Sequence, residues 1–142
     1  MTFDSRTAEL LVAEGIDVEG AMNAWARGHE RLYMKYLLRF PDDPYVENFV
    51  EALETGDLAT AYRAIHSLKG VSANLGMTKL HELCEEGTTI MKDPNPQHQK
   101  AAQENGQPTA LVPNPQADLE PLVPQLRDEM RRMMELAVRL NA

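Results

Sequence analysis

His66, Lys69 and Gly70, in the stretch "HSLKG", are spaced three and four residues apart, which gathers them on one side of an α-helix. Together they suit the transfer of a phosphoryl group to nitrogen. A neutral imidazole is a nucleophile that titrates near neutral pH, so it attacks a phosphoryl donor with little activation. A neighbouring ammonium stabilises part of the charge on the group in transit. Glycine inside a helix costs about 1 kcal/mol relative to alanine, yet here it leaves the flank of the imidazole open to an incoming protein. The same three residues also fit an exposed histidine and a solvated lysine on an ordinary surface helix, so their meaning depends on the elements that carry them.

Those elements read as helices almost throughout; no sustained alternation of β-branched residues occurs, and aromatic residues make up 6% of the chain. A first helix is expected over about Ser5 to Ala13, started by Asp4 or Ser5 and stopped by Gly15. A longer one, capped by Asp17, would carry Met22, Trp25, Leu32, Tyr36 and Phe40 and end before Pro41. Asp43 and Pro44 restart the chain as N-cap and first helical residue, with Val46, Phe49, Val50 and Leu53 facing the core and Gly56 as the stop. Asp57 caps the motif helix directly, so these two helices should lie nearly antiparallel. At about 100° per residue, Leu58, Ala61, Ile65, Leu68 and Ser72 form one stripe, and His66 projects roughly 110° from its centre. "NLG" at 74–76 closes that helix. Thr78 is placed to cap the next, which carries Leu80, Leu83, Cys84 and Ile90.

From Asp93 to about Ala117 the chain holds Pro94, Pro96, Pro108, Pro113 and Pro115 among Asn, Gln and Gly, which predicts a mobile surface loop. A last helix is expected from near Asp118, with Leu122, Leu126, Met130, Met133, Met134, Ala137 and Leu140 at three- and four-residue steps. Pro121 suits its first turn, and Pro124 delays or kinks its start. The methionines read as core filling. The domain expectation is a single unit over 1–142, with a bundle over about 17–92 and 118–140 and a Pro-rich loop over about 93–117.

The 142 residues carry a net charge of −8, which argues against a nucleic-acid partner because phosphate neutralisation needs a basic surface. Locally the balance reverses. Asp42, Asp43, Glu47, Glu51, Glu54 and Asp57 fall between 41 and 57 without a Lys or Arg, whereas 58–81 holds Arg63, Lys69 and Lys79 without an acid. The motif occupies an acid-free window of an acidic chain. No apolar run approaches the roughly 20 residues of a membrane span, and the first residues lack a basic start followed by an apolar segment, so a cytoplasmic protein is expected. The single Cys84 cannot form an internal disulfide, in keeping with a reducing compartment.

The wider stretch "IHSLKGVSANLGMTKLHELC" resembles the histidine-containing phosphotransfer (HPt) family, whose signature is approximately aHxLKGxxxxxGxxxLxxxC. His66, Leu68, Lys69, Gly70, Gly76, Leu80 and Cys84 match it, and "YLLRF" and "ALETGD" upstream extend the resemblance over roughly residues 16–92. The resemblance implies an all-α fold, an antiparallel four-helix bundle with one or two additional short N-terminal helices. It implies no kinase activity of the chain's own, no ATP and no other cofactor. A phosphoryl group would be accepted from the aspartate of a response-regulator receiver domain and passed to another receiver, with a hybrid sensor kinase as a further candidate partner. Neither nucleic acid nor membrane is implied. On this reading His66 is the phosphoacceptor, Lys69 its charge partner and Gly70 the clearance for docking. Lys92 and Arg63 are supporting cations. The chain departs from the family in having Ile65 where a small alanine is frequent, and Gly87 and Thr88 where many members carry a glutamine that orients the ring. Thr88 is the residue left to supply a shorter hydrogen bond.

Two other readings compete. His81 and Cys84, three apart on one helix, suggest metal ligation with His66 or His29, but zinc needs three or four ligands and no paired cysteine motif is present; Cys84 reads better as a core residue. The second is a phosphorylation-silent helical protein-interaction module. An independent enzyme finds no support, since the chain has no phosphate-binding loop, dinucleotide fingerprint or Ser/His/Asp motif.

Overall fold

The structure, a computed structural model, describes residues 3–141. Helix α1 (Ser5–Ala13) begins where the Asp4 carboxylate accepts from the Thr7 N–H at 2.8 Å. Asp17 starts α2 (Val18–Ala21) in the same way, accepting from Gly20 at 2.9 Å. Each carboxylate takes up an amide that the first turn leaves without an intrahelical partner.

The long helix expected from Asp17 to Phe40 is instead broken. After α2 comes a π-helical turn, Met22–Ala26, and then Gly28 at φ +83°, a left-handed conformation that no α-helix contains. The Gly28 N–H donates to the Glu30 carboxylate (3.0 Å), which holds that carboxyl below its ordinary range and starts α3 (Glu30–Arg39) afresh. Tyr33, Met34 and Leu37 of α3 are buried, whereas Leu32 and Tyr36 are exposed.

Helix α4 (Tyr45–Thr55) starts one residue after Pro44, with Asp43 accepting from the Tyr45 N–H (2.9 Å). It buries Val46, Phe49 and Val50, leaves Leu53 half-buried, and ends at Gly56 with φ +79°. Asp57 accepts from the Thr60 N–H (3.1 Å) and starts α5 (Leu58–Leu75). The Thr60 hydrogen bonds, and then the Arg63 charge, hold the Asp57 carboxyl below its ordinary range. Gly76, again at φ +79°, closes α5. Thr78 does not cap α6 (Thr78–Met91); the residue before the helix is Met77, which pairs with Ile16 in an isolated antiparallel bridge.

The Pro-rich segment is not loop throughout. It contains α7 (Pro96–Glu104), with the Asn95 side chain capping through the Gln97 N–H (2.9 Å) and Pro96 at the first helical position, where a missing N–H costs nothing. The Gln99 side chain ties the segment together. Its amide donates to the carbonyls of Asp93 and Ala110, and its oxygen accepts from Thr109 and from the Ala110 N–H. A bridge between Lys92 and Leu111 joins the segment to the end of α6. Helix α8 (Gln116–Leu119) follows, and α9 (Leu122–Leu140) starts later than expected, after Pro121. Met133 is buried in the core; Met134 is exposed, so core filling does not describe it.

Helices α4, α5, α6 and α9 form the antiparallel four-helix bundle, with α5 between α4 and α6 and α9 closing against α4 and α6. Among the described residues no strand forms beyond the two isolated bridges. The buried apolar side chains make one contiguous core from Leu11 to Leu140. Helices α2 and α3 lie at the C-terminal end of α5, and α1 is joined to α9 through Glu14. The Glu14 backbone carbonyl accepts from Arg132 (2.6 Å) and its carboxylate pairs with Arg139 (2.7 Å); Arg132 also pairs with the buried Glu129.

Candidate functional site

The stripe on α5 faces as its periodicity requires: Ala61, Ile65, Leu68 and Ser72 are buried, and His66 and Gly70 are exposed. A Cβ built on Gly70 would meet no atom within 4 Å. No packing contact therefore demands a glycine there, and its smallness leaves free space beside the histidine. Lys69 is half-buried and enters no ion pair among the described residues. Its charge acts on Cys84 of α6, though burial dominates and pushes that thiol up to about 12. Cys84 is thus an inert core residue, as its complete burial also requires. The Lys69 backbone carbonyl accepts from the Ser72 hydroxyl (3.0 Å) and from His81 Nδ1–H (3.1 Å), which ties this turn of α5 to α6.

The other candidate residues are not joined to the ring. The Thr88 hydroxyl donates to the Glu85 carbonyl of its own helix at 2.9 Å, so it does not orient His66. Arg63 donates to the Thr60 hydroxyl (3.1 Å) and faces Asp57 at the start of α5. Lys92 follows the last residue of α6 in the bridge with Leu111, and among the described residues no hydrogen bond or ion pair joins it to His66. Among the described residues no group of three His, Cys, Asp or Glu side chains is arranged to hold a metal ion.

The two family departures belong together. A side chain on Gly87 would collide with Ile65 Cδ1 and come within 3.5 Å of Leu122 Cδ1. Ile65 from α5 thus occupies the volume that a larger residue at 87 would need. What touches the imidazole is instead Tyr62, one turn earlier: its ring lies 5.7 Å from that of His66 with an interplanar angle of 13°. Sequence reasoning missed Tyr62, although its i−4 position already put it on the histidine's side of the helix.

An antiparallel helical bundle that holds one histidine on an open, glycine-flanked face defines the class of scaffold. A family model for the Hpt domain matches residues 43–136, and the chain belongs to that family, which acts in histidine phosphotransfer within two-component signalling, with receiver domains and histidine kinases as its partners. Among solved structures, the HPT domain of a sensor hybrid histidine kinase from Shewanella is similar, with a TM-score of 0.59 and 23% identity over 89% of this chain and 92% of that one. It shows the same fold. No curated protein sequence matches. No helix among the described residues is long and apolar enough to cross a membrane.

Proposed function

We propose that His66 is the phosphoacceptor of a phosphorelay, taking a phosphoryl group from the aspartate of one receiver domain and passing it to another. The observation that carries this is the open space beside His66 over Gly70, with the unpaired Lys69 on the same helix. In the uptake step the imidazole lone pair forms the N–P bond while the bond from phosphorus to the aspartyl oxygen breaks, its electron pair remaining on the carboxylate. Lys69 offsets charge on the moving phosphoryl group. Arg63 and Lys92 act at a distance by adding positive potential to an acidic chain. The receiver brings its own aspartate and Mg²⁺, and this chain needs no cofactor of its own.

Docking falls to the surface beyond Gly70. A groove of about 860 Å³ is lined by Trp25, Leu32, Tyr36, Tyr45, Val71 and Asn74, among others, and Val71 and Asn74 lie one and four residues past Gly70 on α5. The continuous core supports reading the whole chain as one such domain.

The rival, a phosphorylation-silent interaction module, draws on one observation: no side chain among the described residues hydrogen-bonds the His66 ring. A His66→Gln variant separates the two. Wild type takes up an acid-labile, alkali-stable phosphoryl group from a phosphorylated receiver, and the variant takes up none while keeping its thermal stability. Equal labelling of both, or of neither across a panel of receivers, overturns the relay.

A further inference from the structure

With Thr88 engaged by Glu85 and Gly87 lacking a side chain, the imidazole needs some other restraint if its lone pair is to meet a phosphorus atom. The terminal torsion of a histidine is broad, with no sharp staggered minimum to hold the ring plane. Tyr62 is half-buried and packs against the core, so its own ring is anchored from below. The near-parallel stack, at 13°, fixes the plane of the ring above it. We infer that Tyr62 is the positioning residue for His66, holding the imidazole plane by stacking where a hydrogen bond from α6 is missing.

The inference rests on the phosphoacceptor reading above and adds a mechanism to it. A nitrogen lone pair lies in the plane of its ring, so attack in line with the departing aspartyl oxygen requires that plane to contain the phosphorus. A free ring satisfies this only part of the time, and a stacked ring has fewer orientations to search. At 5.7 Å between centroids the stack is offset, and it leaves the exposed imidazole open to approach. Neither effect needs the phenol hydroxyl, so phenylalanine should serve in its place.

Two measurements on the full chain test this, with Tyr62→Ala and Tyr62→Phe variants. In the first, the ring protons of His66 are followed by NMR without any phosphoryl donor. Ring-current shifts from Tyr62 should be present in wild type, retained in Tyr62→Phe and lost in Tyr62→Ala. In the second, uptake from a phosphorylated receiver is timed at a temperature where all three proteins are folded. Tyr62→Ala should slow uptake about fivefold and Tyr62→Phe by less than about twofold. Unchanged His66 ring shifts in Tyr62→Ala would overturn the stack. Wild-type uptake in Tyr62→Ala, or a loss in Tyr62→Phe as large as in Tyr62→Ala, would overturn the positioning role. If even wild type takes up no phosphoryl group, the relay reading fails, and the ring shifts still decide whether Tyr62 holds the ring.

Discussion

Two stretches of α5, a few residues apart, are treated in opposite ways by the rest of the molecule. At the C-terminal end every backbone carbonyl from Ser72 to Gly76 has an acceptor's role. Ser72 and Ala73 receive the amides of Met77 and Gly76, Asn74 receives Trp25 Nε1–H and Leu75 the Tyr33 hydroxyl, each at 2.8 Å, and Gly76 receives the Asp17 N–H at 2.7 Å. A helix end normally leaves its last carbonyls without intrahelical partners, and the segment from Asp17 through the π-helical turn to α3 supplies what is missing. Around His66 and Gly70, by contrast, the outer face carries one stacked ring and open space. The N-terminal helices thus hold the end of α5 firmly, so the middle of the helix can give its outer face to exposed residues, including a glycine that weakens it.

The first way to break this comparison is to attack the underside of the open stretch, where the largest effect is expected. Ile65 is fully buried and fills the space over Gly87. Ile65→Ala should cost about 3 kcal/mol through lost burial and the cavity left behind, read by chemical denaturation. Gly87→Ala should be about 1 kcal/mol more favourable in the Ile65→Ala background than in wild type, because the new methyl enters vacated space rather than Ile65. Equal effects in the two backgrounds would show that the residues do not share one volume, and would separate the two family departures again.

The clamped end is tested by Gly76→Ala. This position needs φ +79°, and an added Cβ would lie within 2.9 Å of the Asp17 carbonyl carbon, a backbone atom that cannot rotate aside. The left-handed conformation alone costs a non-glycine residue about 1 to 2 kcal/mol, so the expected loss is about 2 kcal/mol or more. Phosphoryl uptake by the folded fraction should be unchanged. A stable variant would mean that the N-terminal helices are more loosely attached than the hydrogen bonds at Asn74, Leu75 and Gly76 imply.

The two stretches also differ in how far the sequence reveals them. Asp4, Asp17 and Asp57 start helices as expected because a cap is a contact between residues three apart, and Gly56 and Gly76 stop them for equally local reasons. The inward stripe of α5 and the exposed side of His66 follow from periodicity alone. Gly28 carries a break signal that a long apolar pattern obscures, so one continuous helix is read from Asp17 to Phe40 where the structure has a π-helical turn and a restart at Glu30. Asn95 followed by Pro96 is a helix start, yet among so many prolines it reads as loop. What orients His66 was harder to read, since it turns on Ile65 and Gly87 meeting across two helices. No spacing within one helix records that. Tyr62 was legible as a neighbour of His66, but its role appears only once Thr88 is seen bonded to Glu85.

Gly70→Ala sharpens the comparison with the smallest change, because it reverses the sign of the effect at Gly76. Gly70 lies inside α5, with no positive φ and nothing within 4 Å of an added Cβ, so alanine there should raise stability by up to about 1 kcal/mol through helix propensity alone. The same methyl would stand beside His66, where an incoming receiver must approach, and phosphoryl transfer should slow although the fold is strengthened. Thermal unfolding and transfer rate measured on one preparation give both readouts. A more stable variant with slower transfer means that the glycine is kept for access to the histidine at the expense of the helix. A more stable variant with unchanged transfer would mean that the space beside His66 is not on the route of approach, and docking would have to be sought on another face of α5.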